Sequence, residues 1–229
     1  MGNSQDFYTE EFRANWERDI AHFQSLGINA IRLYAVDPGL NHDAFMCALK
    51  AAGMYVLVGL AADCENCAIQ WQDPPLCYPT TLKKRGEYII QQFAKYDNVL
   101  GFSAGNEASL NVESYLGNLP CQKKFLRDMR AYIQQCVTSS GMRPIPVGVV
   151  MADHERGVQA RYYACNSGNG EDDLDTAEFL GINAYLHCDG SATTIDQLIG
   201  YNMLLQDFLS YGVEIPVMWT EFGKLFFRR

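Results

Sequence analysis

GINAIRLYAVDPGLNHDAFMCALKAAGMYVLVGL, residues 27–60, holds two short apolar runs, Ile28–Tyr34 and Met54–Leu60, on either side of a helical pattern over His42–Ala52. Apolar runs of this length, closed on both sides by turn residues, read as strands buried on both faces of a parallel sheet. A strand, a helix and a second parallel strand make a right-handed crossover unit. The same alternation continues outward. Further strands are predicted at Val99–Ala104, Pro144–Val150, Glu178–Asn183 and Ile215–Thr220, and further helices at Glu10–Leu26, Thr80–Tyr96, Gln122–Ser139 and Thr194–Tyr211. The segments Leu110–Pro120 and Ala152–Asp175 read as long loops after strand ends, where a barrel builds its active face. The pattern is α/β, and 229 residues fit a single domain, 1–229.

Two sheet architectures fit six such strands. One is an open doubly wound sheet, but no G-x-G-x-x-G or G-x-x-x-x-G-K-[ST] pattern follows any strand to hold a nucleotide. The other is a TIM-type (β/α)8 barrel, which needs eight strands. On that reading the chain is truncated, with about six of the eight strands, the first and last being absent. The strands at Ile28–Tyr34 and Ile215–Thr220 would then be open edges.

Charge narrows the partners. Lys and Arg number 18 against 27 Asp and Glu, a formal net charge of −9, and the longest basic run is Lys83-Lys84-Arg85. Nucleic acids and anionic membranes reward clustered positive charge, so neither is expected, whereas a neutral polymer is indifferent to it. No apolar run is long enough to span a bilayer. Eight cysteines suit disulfides formed in an oxidising compartment, so secretion or a cell-surface location is expected although MGNSQDFYTEEF has no signal-peptide pattern. Cys64, Cys67 and Cys77 could be zinc ligands, but a structural site wants four and no histidine stands at a matching spacing. A local disulfide hairpin within Ala61–Cys77 is the expected outcome, with no metal.

Two strand ends carry the chemistry. Gly101–Glu107 (GFSAGNE) and Val217–Glu221 (VMWTE) each finish a buried run with a glutamate. A retaining glycosidase needs two carboxyl groups about 5–5.5 Å apart, one protonating the leaving oxygen and the other attacking the anomeric carbon. Glu107 is the expected acid/base and Glu221 the nucleophile. Arg32 and Tyr34, two apart on one strand, should both face the lumen. The Asn106 amide could bond a sugar 2-hydroxyl. Asn183 and Tyr185 share a face, and Trp219 is expected on the same face as Glu221, where flat rings suit pyranoses. Each residue also has a plainer reading: a first-turn helix charge for Glu107, barrel filling for Trp219, a structural ion pair for Arg32, and a solvated loop residue for His187.

With both carboxylate motifs and the strand order in hand, the chain resembles the fungal-type β-1,3-glucanosyltransferases of the Gas/Gel/Phr group, glycoside hydrolase family 72, from about Asn15 to Gly223. The resemblance is carried by RLYAVDP followed by HDAFMCAL and GMYVLV, then NVLGFSAGNEAS, RPIPVGVV, ARYYACNSGNG, AEFLGINAYLHCDG and IPVMWTEFG. It implies cleavage of an internal β-1,3-glucan bond, a covalent glycosyl-enzyme, and transfer to the hydroxyl of an acceptor glucan, so the partners are donor and acceptor β-1,3-glucan chains and no cofactor is needed. Carried over by position, Glu107 is similar to the family's acid/base and Glu221 to its nucleophile, Tyr34, Asn106 and Tyr185 contact or support sugar, and Asp37 lies near the donor side. Members usually add a strand at each end, a signal peptide, often a cysteine-rich module and a lipid-anchor tail. Cys47 and Cys188 match family cysteines whose partners would fall near Trp16 and just beyond Gly223, while the three cysteines of Ala61–Cys77 match none. An endo-β-glucanase or mannanase using the same first step, and a non-catalytic glucan-binding scaffold, are the alternatives.

Overall fold

The computed structural model describes residues 5–108, 115–166, 173–185 and 194–222. Six parallel strands, β1 (Ala30–Leu33), β2 (Tyr55–Gly59), β3 (Val99–Asn106), β4 (Val147–Ala152), β5 (Leu180–Ala184) and β6 (Val217–Phe222), stand in sequence order in one sheet. Helices α1 (Arg13–Ser25), α2 (Asp43–Ala51), α3 (Thr80–Phe93), α4 (Tyr115–Ser140), α5 (Arg156–Ala164) and α6 (Thr194–Ser210) alternate with them. Among the described residues β1 pairs only with β2 and β6 only with β5, as expected of open edges. The sheet nevertheless curls far enough that Arg32 on β1 bonds Glu221 on β6, Nη1 to Oε1, at 2.9 Å. Two side chains from the outermost strands therefore meet across the opening of a nearly closed barrel.

The elements form for local reasons that packing then enforces. At α2 the Asn41 side chain accepts the Asp43 N–H at 2.7 Å, satisfying one of the orphan donors of the first turn. Its apolar face, Phe45, Met46 and Leu49, is buried, and each such side chain contributes about 1.5–3 kcal/mol. In α3, Leu82, Ile89, Ile90 and Phe93 form the buried stripe. Gly86 lies on that stripe, where a Cβ would sit 2.4 Å from the Met129 sulfur of α4 and would force that side chain to shift. Ahead of α1, Asp6 takes the Asp37 N–H at 2.6 Å and lies 2.8 Å from His42 Nε2. Burial alone would raise its pKa, but these bonds and the Tyr8 N–H outweigh it and hold the carboxyl below its usual value.

Two expectations are corrected. Leu110–Pro120 is not loop throughout, because α4 begins at Tyr115 with Pro120 inside the helix. Proline reads as a helix boundary because it removes a hydrogen bond. Tertiary contacts override it: Leu119, Cys121 and Gln122 are buried, and Asn118 donates to the Ala108 carbonyl at 3.2 Å. Within Ala152–Asp175 lies α5, whose short span buries only Gln159, Ala160 and Tyr163 and so shows no apolar stripe in sequence.

Cys64 pairs with Cys67, giving the local bridge expected in Ala61–Cys77, whereas Cys77 reaches 44 residues onward to Cys121 on α4. Cys47, Cys136 and Cys165 are free thiols, and His187 and Cys188 lie outside the described residues. Among the described residues no helix is long and apolar enough to cross a membrane, and no three His, Cys, Asp or Glu side chains are grouped to hold a metal.

Candidate active site

Both strands that carry a glutamate break register just before it. On β3 the pairing with β4 shifts between Ser103 and Asn106, and on β6 the pairing with β5 shifts between Trp219 and Glu221. Bulges of this kind re-aim side chains and are common beside active sites. At β3 the chain turns through Gly105 at φ +97°, where a Cβ would lie 2.9 Å from Gln122 Nε2. Gln122 in turn donates to the Ala104 carbonyl at 3.1 Å and accepts from the buried Tyr163 hydroxyl at 2.6 Å. Glu107 itself adopts φ +47°, a left-handed conformation that non-glycine residues seldom take. The neighbourhood holds it there, its N–H bonding the Val150 carbonyl at 3.0 Å.

Asn183, only 2% exposed, joins the two glutamates into one network. Its Nδ2 donates to Glu107 Oε1 at 2.8 Å and to Asn106 Oδ1 at 3.1 Å. Its Oδ1 accepts from Thr220 at 2.8 Å and from Arg32 Nη1 at 3.4 Å. Arg32 spreads further, placing Nη2 2.7 Å from Asn106 Oδ1 and its guanidinium carbon 4.3 Å over the Tyr34 ring. Arg32 on β1 and Tyr34 just past its end therefore lie against one another in the site. The Asn106 oxygen is occupied by two donors, which leaves its amide nitrogen as the group to meet a ligand.

Glu221 receives a bond from Arg32 on Oε1 and from the Tyr185 hydroxyl on Oε2. Arg32 and Glu221 side chains are 8% and 14% exposed, so the pair is largely withdrawn from water. The Tyr34 hydroxyl is pushed up to about 12, by burial first and then by Glu221 and Glu107. Tyr185 is raised as well, chiefly by its bond to Glu221. Both phenols are thus protonated donors across any physiological pH.

Asn183 has its bonding capacity filled by protein and is buried, so in this arrangement it positions the carboxylates rather than meeting solvent. Trp219 does not share the face of Glu221. Its ring packs edge-on against Tyr201 of α6 at 5.7 Å, as does Phe222 at 6.4 Å, while Thr220 and Glu221 both join the inner network. The bulge cancels the alternation on which the sequence assignment rested. The Asp37 carboxylate accepts the Gly39 N–H at 2.8 Å in a turn. Thr220 is the contributor that sequence reading missed, its signal being its place next to Glu221. Beside Glu107 opens a cavity of about 470 Å³ between Tyr34 and the loop that follows β2.

Over residues 4–225 the chain matches the family model described as Glucanosyltransferase. The 1,3-beta-glucanosyltransferase gas1 of Schizosaccharomyces pombe is 38% identical over 208 residues, covering 90% of this chain and 35% of that protein. The 1,3-beta-glucanosyltransferase PGA4 of Candida albicans is 36% identical over 209 residues, covering 90% of this chain and 43% of that one. Among solved structures, Saccharomyces cerevisiae Gas2p in complex with laminaripentaose superposes with a TM-score of 0.77 at 32% identity, over 98% of this chain and 47% of its own. The chain spans less than half the length of these relatives.

Proposed function

The chain belongs to the glucanosyltransferase family, glycoside hydrolase family 72, and on that premise we propose that it is the catalytic part of a retaining β-1,3-glucan transglycosylase that remodels cell-wall glucan. One observation carries the proposal: Arg32, Asn106 and Asn183 tie Glu107 and Glu221, from the non-adjacent strands β3 and β6, into a single hydrogen-bonded site. In the first step Glu107 gives its proton to the glycosidic oxygen while a Glu221 oxygen attacks the anomeric carbon, so that the C–O bond breaks and an ester to Glu221 forms. In the second, the Glu107 carboxylate takes the proton from the 3-hydroxyl of an acceptor glucan, whose oxygen displaces Glu221 and makes a new β-1,3 bond. Asn106 Nδ2 is the donor for the 2-hydroxyl, an interaction that strengthens as positive charge develops on the sugar. Tyr185 donates to Glu221, and Tyr34 lines the approach.

This chemistry needs no cofactor, and all 1–229 residues are read as one catalytic domain. Two disulfides support a secreted or cell-surface protein. The test is incubation with a reduced laminari-oligosaccharide. Products longer than the substrate are expected; shorter products alone would make it a hydrolase, and unchanged substrate would favour a glucan-binding scaffold.

A further inference from the structure

Tyr34 lies against the Arg32 guanidinium, yet the residue is half exposed, so little packing fixes its ring and its place depends on the backbone that carries it. That backbone runs between two buried anchors, Leu33 and Val36. Past them two backbone groups are taken by side chains from distant parts of the sequence. The Val36 carbonyl accepts from Arg85 Nη2 of α3 at 2.5 Å, and the Asp37 N–H donates to Asp6 Oδ2 at 2.6 Å.

Three segments converge on the Asp6 carboxylate: the Tyr8 N–H from the stretch ahead of α1, the Asp37 N–H from the turn after β1, and His42 from the start of α2. Held below its usual pKa, Asp6 is ionised at neutral pH and accepts only, so His42 Nε2 carries the hydrogen between them. The imidazole is 2% exposed and its ring lies 4.9 Å from that of Phe93, which fixes its direction. Arg85 completes the corner, where burial lowers its pKa and the charges of Asp37 and Asp6 oppose that fall. Apolar side chains of similar volume would stabilise such a corner as well or better, because withdrawing charges from water costs much of what their attraction returns. What the carboxylate adds is direction, since it fixes one N–H of one turn.

We infer that Asp6 is a positioning residue for the reaction: oriented by His42, and with Arg85 on the preceding carbonyl, it sets the turn after β1 and thereby the place of Tyr34 beside Arg32 and Glu221. This inference rests on the glucan reading above and adds to it a residue outside the carboxylate network.

The test compares Asp6→Ala, Asp6→Asn and a control, Asn98→Ala, in the whole chain. Asn98 is also buried and also tied to α2, donating to the Met46 and Met54 carbonyls, but it stands just ahead of β3, at the other end of that strand from Glu107. With a reduced laminari-oligosaccharide and all products counted, Asp6→Ala should lower kcat by about 10- to 10²-fold with KM little changed, the cost of a small misplacement at the site. Amide hydrogen exchange over residues 34–37 should speed up in the same variant. Asp6→Asn keeps an acceptor oxygen for the Asp37 N–H and should recover most of the kcat and slow the exchange again. Asn98→Ala should melt lower too, yet keep its kcat. His42→Ala removes one donor from Asp6, should show both effects in weaker form, and serves as the reporter if Asp6→Ala does not fold. Equal kcat losses in Asp6→Ala and Asn98→Ala, or unchanged exchange over residues 34–37 in Asp6→Ala, overturn the positioning role and leave the glucan reading intact. An unaltered protein that makes no product from the oligosaccharide overturns the glucan reading instead, and the exchange still decides whether Asp6 holds the turn.

Discussion

Glu107 and Glu221 occupy the same structural position, the end of a parallel strand just past a bulge, yet they are held in different ways. Glu107 is fixed by its backbone. Its strand is buried between β2 and β4, its N–H bonds Val150, Gln122 fills the space behind Gly105, and Asn118 of α4 bonds the next carbonyl. Glu221 ends an edge strand whose residues are at most half-buried, and it is fixed by side chains that reach it from elsewhere: Arg32 across the opening, Tyr34 beside it, and Tyr185 from β5. Core packing thus sets one carboxylate and a polar network sets the other. A proton donor placed by packing keeps its position when charges are altered, whereas the edge carboxylate depends on every donor that reaches it.

The largest effects should come from the carboxylates themselves. Glu221→Gln removes the nucleophile and should abolish glycosyl-enzyme formation with every substrate. Glu107→Gln should lower transfer from natural glucan by about 10²–10⁴-fold, the range for a general acid, while activated substrates whose leaving group needs no proton still form the covalent intermediate. Mass spectrometry of the trapped intermediate reads both. A covalent sugar on any residue other than Glu221 would reverse the assignment.

Arg32 separates the two modes of support. Arg32→Met strips a largely buried ion pair of one partner, which costs about 3–5 kcal/mol because the remaining charge is left uncompensated. It also removes the bonds to Asn106 and Asn183, so activity should fall by about 10²-fold or more. Arg32→Lys should recover little, since an ammonium lacks the planar fork that serves Glu221, Asn106 and Asn183 together. Thermal melts and kcat for both variants check this. Lysine restoring full activity would mean that charge alone, and not the shared geometry, holds Glu221.

Much of this arrangement is legible from sequence. All six strands were placed to within three residues, because apolar runs bounded by turns leave a local signature, and both glutamates stood out at strand ends. What escaped is tertiary. The bulge between Trp219 and Glu221 has no local signal, so strict alternation put the indole on the wrong face. The Cys77–Cys121 bridge joins segments that only the folded chain brings together, and Pro120 hid the start of α4 for the same reason. Asn183 looked like a sugar ligand because sequence reveals its position but not that its four bonds are filled from within.

The smallest expected effects distinguish the two staples of the Glu107 flank. Closing a loop stabilises mainly by restricting the unfolded chain, and more so for a longer loop. With a separation of 44 residues, Cys77–Cys121 should contribute about 4 kcal/mol; with a separation of 3, Cys64–Cys67 should contribute about 1.6 kcal/mol. For a domain of this size each kcal/mol moves the melting temperature by about 2–4 °C, so Cys77→Ala/Cys121→Ala should melt about 8–16 °C lower and Cys64→Ala/Cys67→Ala about 3–6 °C lower. Paired alanine variants are needed because a reductant opens both bridges together. Cys77 and Cys121 are also buried, so their truncation adds a cavity cost in the same direction, while Cys64 is exposed and Cys67 half-buried, and they add less. If the two pairs shift melting equally, loop closure is not what steadies this flank. Its rigidity would then rest on the packing of α3 against α4 and of β3 between its neighbours, and the contrast with the edge-held Glu221 would be one of packing alone.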